Sequence, residues 1–315
     1  MKSRKTYPID QCPLYRLQSR KKLAKDVFNL ELSHLESLAK NTSNYRIFKI
    51  PSGDKERQVE VPKPILERIH RRLFALLERI HKPPYLQSGV KGRSYITNAQ
   101  LHVGLAPLVK LDVKKFYPSI DSARVYRFFN TILLCSPDVS GLLTKLTTCE
   151  GHVPTGSCVS QLLAFFAAKP MFDELDYLAT KQSLRFSCYV DDMTFSGTLA
   201  TPSLLWAAKQ IVHSHGFGYH KDRCYTAEQD KLVTGVMVTS DRIAILPSRE
   251  FELWRKTQDL GTGDIEQRIA AVNSLIGTVV AASQIEARLL SRLKRLKGIK
   301  AAFEQEASTS SPSQR

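Results

Sequence analysis

The chain has 315 residues, of which 43% are hydrophobic, so it can bury a substantial core. Its formal net charge is +16, from 46 Lys and Arg against 30 Asp and Glu, which favours a polyanionic partner. We expect no membrane span, no secretory signal and no zinc site, because no apolar run approaches roughly 20 residues and the six cysteines show no Cys-x-x-Cys spacing. The composition therefore predicts a cytoplasmic protein with reduced thiols.

The first part of the chain is predicted to be helical around one hairpin. Residues 13–40 have helical character, and segments 47–50 and 59–61 flank the turn Ser52-Gly53-Asp54 as two strands. A helix is predicted from about Lys63 to His81, because Pro83-Pro84 cannot continue it. Positive charges gather between residues 2 and 25 and between 55 and 93.

A lone aspartate lies near the end of the next predicted strand. Residues 108–113, Leu-Val-Lys-Leu-Asp-Val, form an apolar run that contains Asp112, and the strand must end before Pro118. A carboxylate at a strand end suits a hard cation. Alternatively, Asp112 caps the turn that follows.

A turn rich in glycine and small hydroxyl residues comes next. Residues 151–161 contain Pro154-Thr155-Gly156-Ser157 and open onto the apolar helix predicted from residue 162. Such a turn lets backbone approach a nucleotide or a template base closely. Any junction between a loop and a helix uses the same residue types, so the segment alone is a weak indication.

Two adjacent carboxylates, Asp191 and Asp192, lie in the string Tyr189-Val190-Asp191-Asp192 between apolar flanks. They are costly to bury without a cation. A regular strand would point them to opposite faces, so the flanks predict a tight hairpin with both acids at its tip. With Asp112 they could hold two Mg²⁺ ions about 4 Å apart, the arrangement that clamps a phosphoryl transfer. The alternative is a solvated Asp-Asp turn.

The segment 248–303 is predicted to be all-helical, with breaks at Gly261-Thr262-Gly263 and Gly277. In its last helix, leucines share one face and Arg288, Arg292 and Arg295 lie on a neighbouring one. These arginines either neutralise nucleic-acid phosphates or form a solvated basic face. Residues 305–315 have the composition of a disordered tail.

In this order and spacing, the segments around Asp112, around Thr155-Gly156 and around Asp191-Asp192 resemble the palm of reverse transcriptases across roughly residues 45 to 240. Two further strings resemble the bacterial retron branch. These are Asn98-Ala99-Gln100-Leu101-His102, similar to its Asn-Ala-x-x-His motif, and Val233-Thr234-Gly235, similar to its Val-Thr-Gly motif.

Two departures from the retron pattern are present. Val190 replaces the usual Ala of the signature box. The lysine expected after Gly216-Phe217 is displaced, with Arg223 at the matching spacing and Lys221 two residues earlier. Which of the two would protonate the departing pyrophosphate is therefore open.

The resemblance implies an α+β fold of the right-hand polymerase type, with fingers, a palm made of an antiparallel sheet packed on helices, and a small helical thumb. The implied domains are a basic helical arm at 1–45, fingers at 46–105, palm at 106–240 with interleaved fingers elements, thumb at 241–304 and the tail at 305–315.

The resemblance also implies roles for individual residues. Asp112, Asp191, Asp192 and the backbone carbonyl of Val113 would hold two Mg²⁺ ions, with Mn²⁺ a possible substitute. Predicted nucleotide-binding residues are Lys55, Arg57, Phe116, Tyr117, Thr155, Gly156, Lys221 and Arg223. Predicted RNA- or primer-binding residues are Asn98, His102, Val233, Thr234, Gly235, Arg288, Arg292 and Arg295.

Several of these residues have a structural alternative. Lys55 and Arg57 could be ordinary hairpin charges, and Tyr117, the expected gate against a ribose 2′-hydroxyl, could simply pack in the core. Asn98 could cap a turn, His102 could be a core histidine, and Gly235 could serve only a strand bend.

Retron enzymes bind a structured non-coding RNA of the msr-msd type, prime from a guanosine 2′-hydroxyl and make branched msDNA from dNTPs, an RNA-DNA hybrid. They commonly act with an effector protein in antiphage defence, so the resemblance implies these partners. Two alternatives stay open: a reverse transcriptase of another bacterial group, such as a group II intron-like or defence-associated type, and a non-catalytic RNA-binding module.

Overall fold

The computed structural model describes residues 5–53 and 55–310, which divide into two compact units. Unit 1 comprises Met1–Ser94 and Val109–Cys224, and unit 2 comprises Tyr95–Leu108 and Tyr225–Arg315. Within the described residues, no helix is both long and apolar enough to cross a bilayer.

The N-terminal part of unit 1 holds short helical segments and one long hairpin. Its elements are a 3₁₀ turn (Ile9–Gln11), α1 (Arg20–Lys22), a π-helical turn (Leu23–Phe28), α2 (Leu32–Lys40), β1 (Tyr45–Ser52), β2 (Lys55–Pro62) and α3 (Pro64–Leu77). The predicted hairpin is confirmed as an antiparallel pair. The prediction of helix over 13–40 is correct only in part, since 12–19 are irregular. Leu14, Leu23 and Leu35 are nevertheless buried in the main core.

The rest of unit 1 places a sheet against helices. After α4 (Tyr95–Gln100), which belongs to unit 2, the elements are β3 (Leu108–Val113), α5 (Phe116–Ser119), α6 (Ser122–Arg127), a π-helical turn (Phe128–Ile132), α7 (Pro137–Thr147), α8 (Ser160–Lys181), β4 (Arg185–Tyr189), β5 (Asp192–Ser196), α9 (Pro202–Ser214) and β6 (Tyr219–Tyr225). The strand order is β4-β5-β3-β6.

The core of unit 1 is formed around the long helix α8, which is apolar on most of its surface. Phe166 stacks on Phe128 with ring centroids 5.4 Å apart, and Phe165 stacks on Phe172 at 5.8 Å. Burial of such rings contributes most of the favourable free energy in a core of this kind. This packing fixes the sheet whose strand ends hold the predicted acids.

Unit 2 contains a small antiparallel sheet and three long helices. Its elements are α4, β7 (Lys231–Val233), β8 (Val236–Val238), β9 (Ile243–Ala244), α10 (Pro247–Gln258), α11 (Ile265–Ser283) and α12 (Leu290–Ser310), with short 3₁₀ turns at Asp259–Gly261 and Ala287–Leu289. A capping box between Asp264 and Gln267 begins α11. Thr234 and Gly235 both have positive φ, +46° and +79°, and form the two-residue turn between β7 and β8.

The fold confirms the α+β class with antiparallel sheets, but four predicted boundaries differ. Helix α11 continues through Gly277, and α12 extends to Ser310, so the disordered-tail prediction is wrong for 305–310. Residues 311–315 of that tail lie outside the described part. Residues 95–105, predicted as fingers, and 225–240, predicted as palm, fall in unit 2, because Ala99 and Val233 share one hydrophobic cluster.

Candidate active site

The hairpin predicted around Asp191 and Asp192 is present, but only Asp191 lies in its loop, because Asp192 is the first residue of β5. Tyr189 pairs with Asp192 across β4 and β5, so Val190 and Asp191 form its two-residue loop. Val190 has φ +61°, which a β-branched residue rarely adopts. Its N–H donates to Ser88 Oγ at 2.9 Å, and this buried serine helps to hold the strained loop in place.

Asp112 lies beside this hairpin, because β3 is the neighbour of β5 in the sheet. Val113 N donates to Asp191 O at 3.0 Å, which fixes the two chain segments side by side. The fold therefore brings Asp112 together with the pair Asp191-Asp192, which begins 79 positions later in the sequence.

Two side chains of β6 contact Asp112. His220 Nε2 lies 2.7 Å from Asp112 Oδ1, and Lys221 Nζ lies 4.0 Å from Oδ2. Consecutive strand residues normally point to opposite faces. Lys221 has φ +52°, which interrupts this alternation and lets both side chains approach the same carboxylate. Lys221 and Arg223 are both exposed on β6, and of these two predicted proton donors it is Lys221 whose Nζ approaches Asp112.

The carboxylates repel one another in a poorly hydrated place. Burial, with added repulsion from Asp112 and Asp192, raises the pKa of Asp191 to about 6. Burial also raises the pKa of Asp192, while Lys110, whose Nζ lies 3.3 Å from Asp192 Oδ2, opposes the rise. The other oxygen, Asp192 Oδ1, is buried and has no hydrogen-bond partner among the described residues.

These residues fit a divalent cation in their chemistry. Carboxylate oxygens are the preferred ligands of Mg²⁺ and Mn²⁺, and an unpartnered buried oxygen beside mutually repelling acids is a position that a cation would stabilise. Over residues 5–53 and 55–310, no three His, Cys, Asp or Glu side chains are already arranged around one point. His220 instead holds one oxygen of Asp112.

The turn with Thr155 and Gly156 is fastened to the hairpin strand β2. The buried Glu60 carboxylate accepts from Thr155 N at 2.8 Å and from Thr155 Oγ1 at 2.9 Å, and Gly156 N donates to Glu60 O at 3.1 Å. A Cβ on Gly156 would lie 2.7 Å from Glu60 O, so only glycine fits. Although burial alone would raise the pKa of Glu60, the hydrogen bonds from Thr155 lower it on balance.

The remaining predicted nucleotide contacts differ in exposure. Phe116 is buried against Phe172, so its predicted nucleotide contact is corrected to core packing. Tyr117 is half-buried: burial, and then the charge of Asp191, raise its pKa to about 12, while the charge of Arg57 opposes the rise. Tyr117 therefore lies within electrostatic reach of both the acids and the hairpin. The side chain of Lys55 lies outside the described part.

The two retron-like strings meet inside unit 2. Asn98 Nδ2 donates to Thr234 Oγ1 at 3.4 Å, and Thr234 Oγ1 donates to Tyr95 O at 2.9 Å. Asn98, His102 and Val233 are buried. Any effect of these three side chains on RNA or primer binding would therefore be indirect, through the position of the Thr234-Gly235 turn.

Two of the three predicted phosphate-binding arginines are used inside unit 2. Arg288 forms ion pairs with Glu250 at 2.7 Å and with Glu286 at 2.5 Å. Arg292 donates to Leu253 O at 2.7 Å and also to the hydroxyl of Thr257. Arg295 is exposed. Part of the basic face that the sequence predicted on this helix therefore makes contacts with helix α10.

Several contacts at the site were not predicted from the sequence, and they come from Glu60, Ser88, Lys110 and His220. Only Lys110 gave a signal, because it lies two residues before Asp112 in an apolar strand, where residues i and i+2 share a face.

No protein-family model matches the chain. The chain is 34% identical to the retron Se72 reverse transcriptase of Salmonella heidelberg over 178 residues, which are 54% of this chain and 46% of that protein. It is 28% identical to the retron Mx65 reverse transcriptase of Myxococcus xanthus, over 81% of this chain and 65% of the relative. It is 23% identical to the retron Ec86 reverse transcriptase of Escherichia coli, over 70% of this chain and 71% of the relative.

The matched segment thus spans about half to two thirds of the first two relatives. Among solved structures, a foamy viral protease-reverse transcriptase in complex with double-stranded DNA aligns with 97% of this chain and 50% of its own, at 15% identity and a TM-score of 0.46, which is too low to support a conclusion. The sequence matches confirm the resemblance to retron reverse transcriptases that the motifs predicted.

Proposed function

We propose that this chain, which is similar in sequence to retron reverse transcriptases, is an RNA-directed DNA polymerase that extends a primer with dNTPs on an RNA template. The proposal rests mainly on one observation, the meeting of Asp112 with Asp191 and Asp192 at neighbouring strand ends. Three acids in one poorly hydrated place are costly unless they share cations. A module that only bound RNA would have no need of them.

Asp112, Asp191, Asp192 and the backbone carbonyl of Val113 are the proposed ligands of two Mg²⁺ ions, for which Mn²⁺ is a possible substitute. When bound, such ions lower the pKa of the primer hydroxyl and neutralise the triphosphate. Lys110 orients Asp192, and His220 orients Asp112.

The surrounding residues have proposed roles in substrate handling. Arg57, with Lys55, holds the triphosphate of the incoming nucleotide, and Tyr117 excludes a ribose 2′-hydroxyl. The turn at Thr155 and Gly156 supports the nucleotide and template, with its position fixed by Glu60. Lys221 donates a proton to the departing pyrophosphate.

We further propose that this polymerase carries out the retron reaction. The enzyme would copy part of a cognate msr-msd RNA, prime from a guanosine 2′-hydroxyl, release branched msDNA and act with an effector protein in antiphage defence. Support comes from the sequence similarity to retron enzymes and from the two strings that meet at Asn98 and Thr234.

The test is primer extension on an RNA template with Mg²⁺, with Mn²⁺ and with a chelator. We expect Asp112→Asn, Asp191→Asn and Asp192→Asn each to lower the rate at least about a hundredfold, since each removes charge stabilisation at the reacting phosphate. The matched control is Asp222→Asn, which alters an acid on β6 that is paired with Lys209. Synthesis by all three variants near the wild-type rate would remove the polymerase assignment.

A second measurement tests the retron form separately. Nucleic acid that copurifies with the protein is sequenced and treated with a debranching enzyme. A 2′-5′ branch is expected. Linear products alone, from an enzyme that is active in primer extension, would favour a reverse transcriptase of another bacterial group.

A further inference from the structure

A cavity of about 350 Å³ lies in unit 1 between the π-helical turn Leu23–Phe28 and helix α3. Its volume is in the range of small-ligand sites. None of the residues that line it belongs to the proposed polymerase site. We call it the arm cavity.

The apolar part of the arm cavity comes from Phe28, Leu30 and Ile65. Ile65 is 47% exposed, which leaves an uncovered aliphatic surface beside a half-buried aromatic ring. The backbone here is well defined, because Asn29 in the left-handed region ends the π-helical turn and Leu30 N donates to Ala24 O at 2.9 Å. The apolar surface is therefore preformed.

The polar part of the arm cavity is basic. Arg68 and Arg72, one helical turn apart on α3, line it together with His34, and none of the lining residues is acidic. Arg72 Nε donates to Val27 O at 3.0 Å, which fixes the rim. Arg68 is exposed and forms no ion pair with any residue in the described ranges. Residues 1–94 hold 21 Lys and Arg against 9 Asp and Glu, so the surroundings also favour an anion.

We propose that the arm cavity binds one unpaired nucleotide of an RNA strand, with its base against Phe28 and Ile65 and its phosphate at Arg68 and Arg72. This inference rests on the proposed function, in which the chain handles RNA. Unpaired bases are recognised by stacking on aromatic rings, and guanidinium groups match phosphate geometry. An acidic protein segment is the competing occupant, but the basic excess of the surrounding region favours a polyanion.

The test measures binding of a short fluorescein-labelled oligouridylate RNA to the full chain, whose polymerase site is first loaded with a chain-terminated primer-template duplex. Phe28→Ala is expected to weaken binding about tenfold, from the loss of stacking. Arg68→Gln is expected to lower the slope of log affinity against log salt by about 0.7, the value for one phosphate contact to a single strand.

The matched control is Arg71→Gln. Arg71 lies on the same helix and is exposed, but it is paired with Glu67 and does not line the cavity. Thermal unfolding reports whether each variant is folded, and Phe28→Tyr, which keeps the ring, is expected to retain binding. If Phe28→Ala does not fold, the salt slope of the surface variant Arg68→Gln still decides.

Equal effects of Arg68→Gln and Arg71→Gln, or an unchanged salt slope for Arg68→Gln, would overturn the assignment. If Phe28→Ala and Arg68→Gln lose a copurifying protein but keep their affinity for RNA, the nucleotide assignment is also overturned, in favour of an acidic protein segment. Primer extension by the wild-type chain is measured in parallel. Because it reports only the polymerase activity, a failure of the cavity proposal and a failure of the proposed function can be told apart.

Discussion

The substitution Asp191→Asn is expected to stabilise the metal-free protein while it destroys activity. In the fold, burial and the neighbouring acids Asp112 and Asp192 raise the pKa of Asp191 from its usual 3.8 to about 6. The folded protein therefore holds this proton more tightly than the unfolded chain does. An amide of the same shape removes the buried charge without removing the side chain.

The way in which the free energy of unfolding changes with pH follows from the linkage between proton binding and folding. Between about pH 4 and pH 6 the folded state binds more protons at this site, so the free energy of unfolding falls as the pH rises through that window. Above about pH 6, the folded protein bears the full cost of holding Asp191 as a buried charge. A pKa difference of roughly two units at 1.36 kcal/mol each limits this loss in the free energy of unfolding to about 3 kcal/mol. Asp191→Asn should recover up to that amount at pH 7.5 and almost none near pH 4.

The assay is urea unfolding followed by circular dichroism, with a chelator present, at several pH values. Asp222→Asn is a control of opposite sign, because the hydrogen bond and charge of Lys209 lower the pKa of Asp222, so its loss should destabilise the protein at pH 7.5. Added Mg²⁺ should stabilise the wild type and have much less effect on Asp191→Asn. A loss of stability in Asp191→Asn at pH 7.5 would refute the electrostatic reasoning.

Three further outcomes are expected. Glu60→Gln should raise KM for dNTPs more than it lowers kcat, and it should reduce the free energy of unfolding by about 2–4 kcal/mol, because two charge-assisted hydrogen bonds to the turn weaken. Steady-state kinetics and urea unfolding measure these effects, with the exposed Glu56→Gln as the control. Tyr117→Ala should increase ribonucleotide incorporation in a sugar-competition assay while Tyr117→Phe should not, and an unchanged preference would remove the gate role. Lys221→Ala should lower the single-turnover rate more than Arg223→Ala, and the reverse order would assign proton donation to Arg223.

The sequence predicted those features that depend on local pattern. The apolar run around Asp112 and the flanks of Asp191-Asp192, which are rich in aromatic and β-branched residues, have strand character that tertiary structure only reinforces. The meeting of these acids could be predicted because the order of the three motifs resembles that of a known family. The Thr234-Gly235 turn could be expected too, since glycine adopts positive φ readily.

The sequence could not predict contacts that depend on long-range packing. Glu60 and Thr155 are 95 positions apart, and His220 and Asp112 are 108 apart, so no local periodicity connects them. The burial of Phe116 was missed because an aromatic residue beside a catalytic segment suits both a site and a core. The helix through 305–310 was missed because composition favoured disorder there, whereas α12 continues in the structure.

The proposed polymerase activity depends most directly on divalent cations bound between β3 and the β4–β5 hairpin. Crystals grown with Mn²⁺, a primer-template and a non-hydrolysable dNTP analogue would locate them by anomalous diffraction. We predict two peaks about 4 Å apart, each about 2 Å from carboxylate oxygens of Asp112, Asp191 or Asp192. A fully occupied nucleotide complex with no anomalous peak at these carboxylates would contradict the assignment of Asp112, Asp191 and Asp192 as metal ligands.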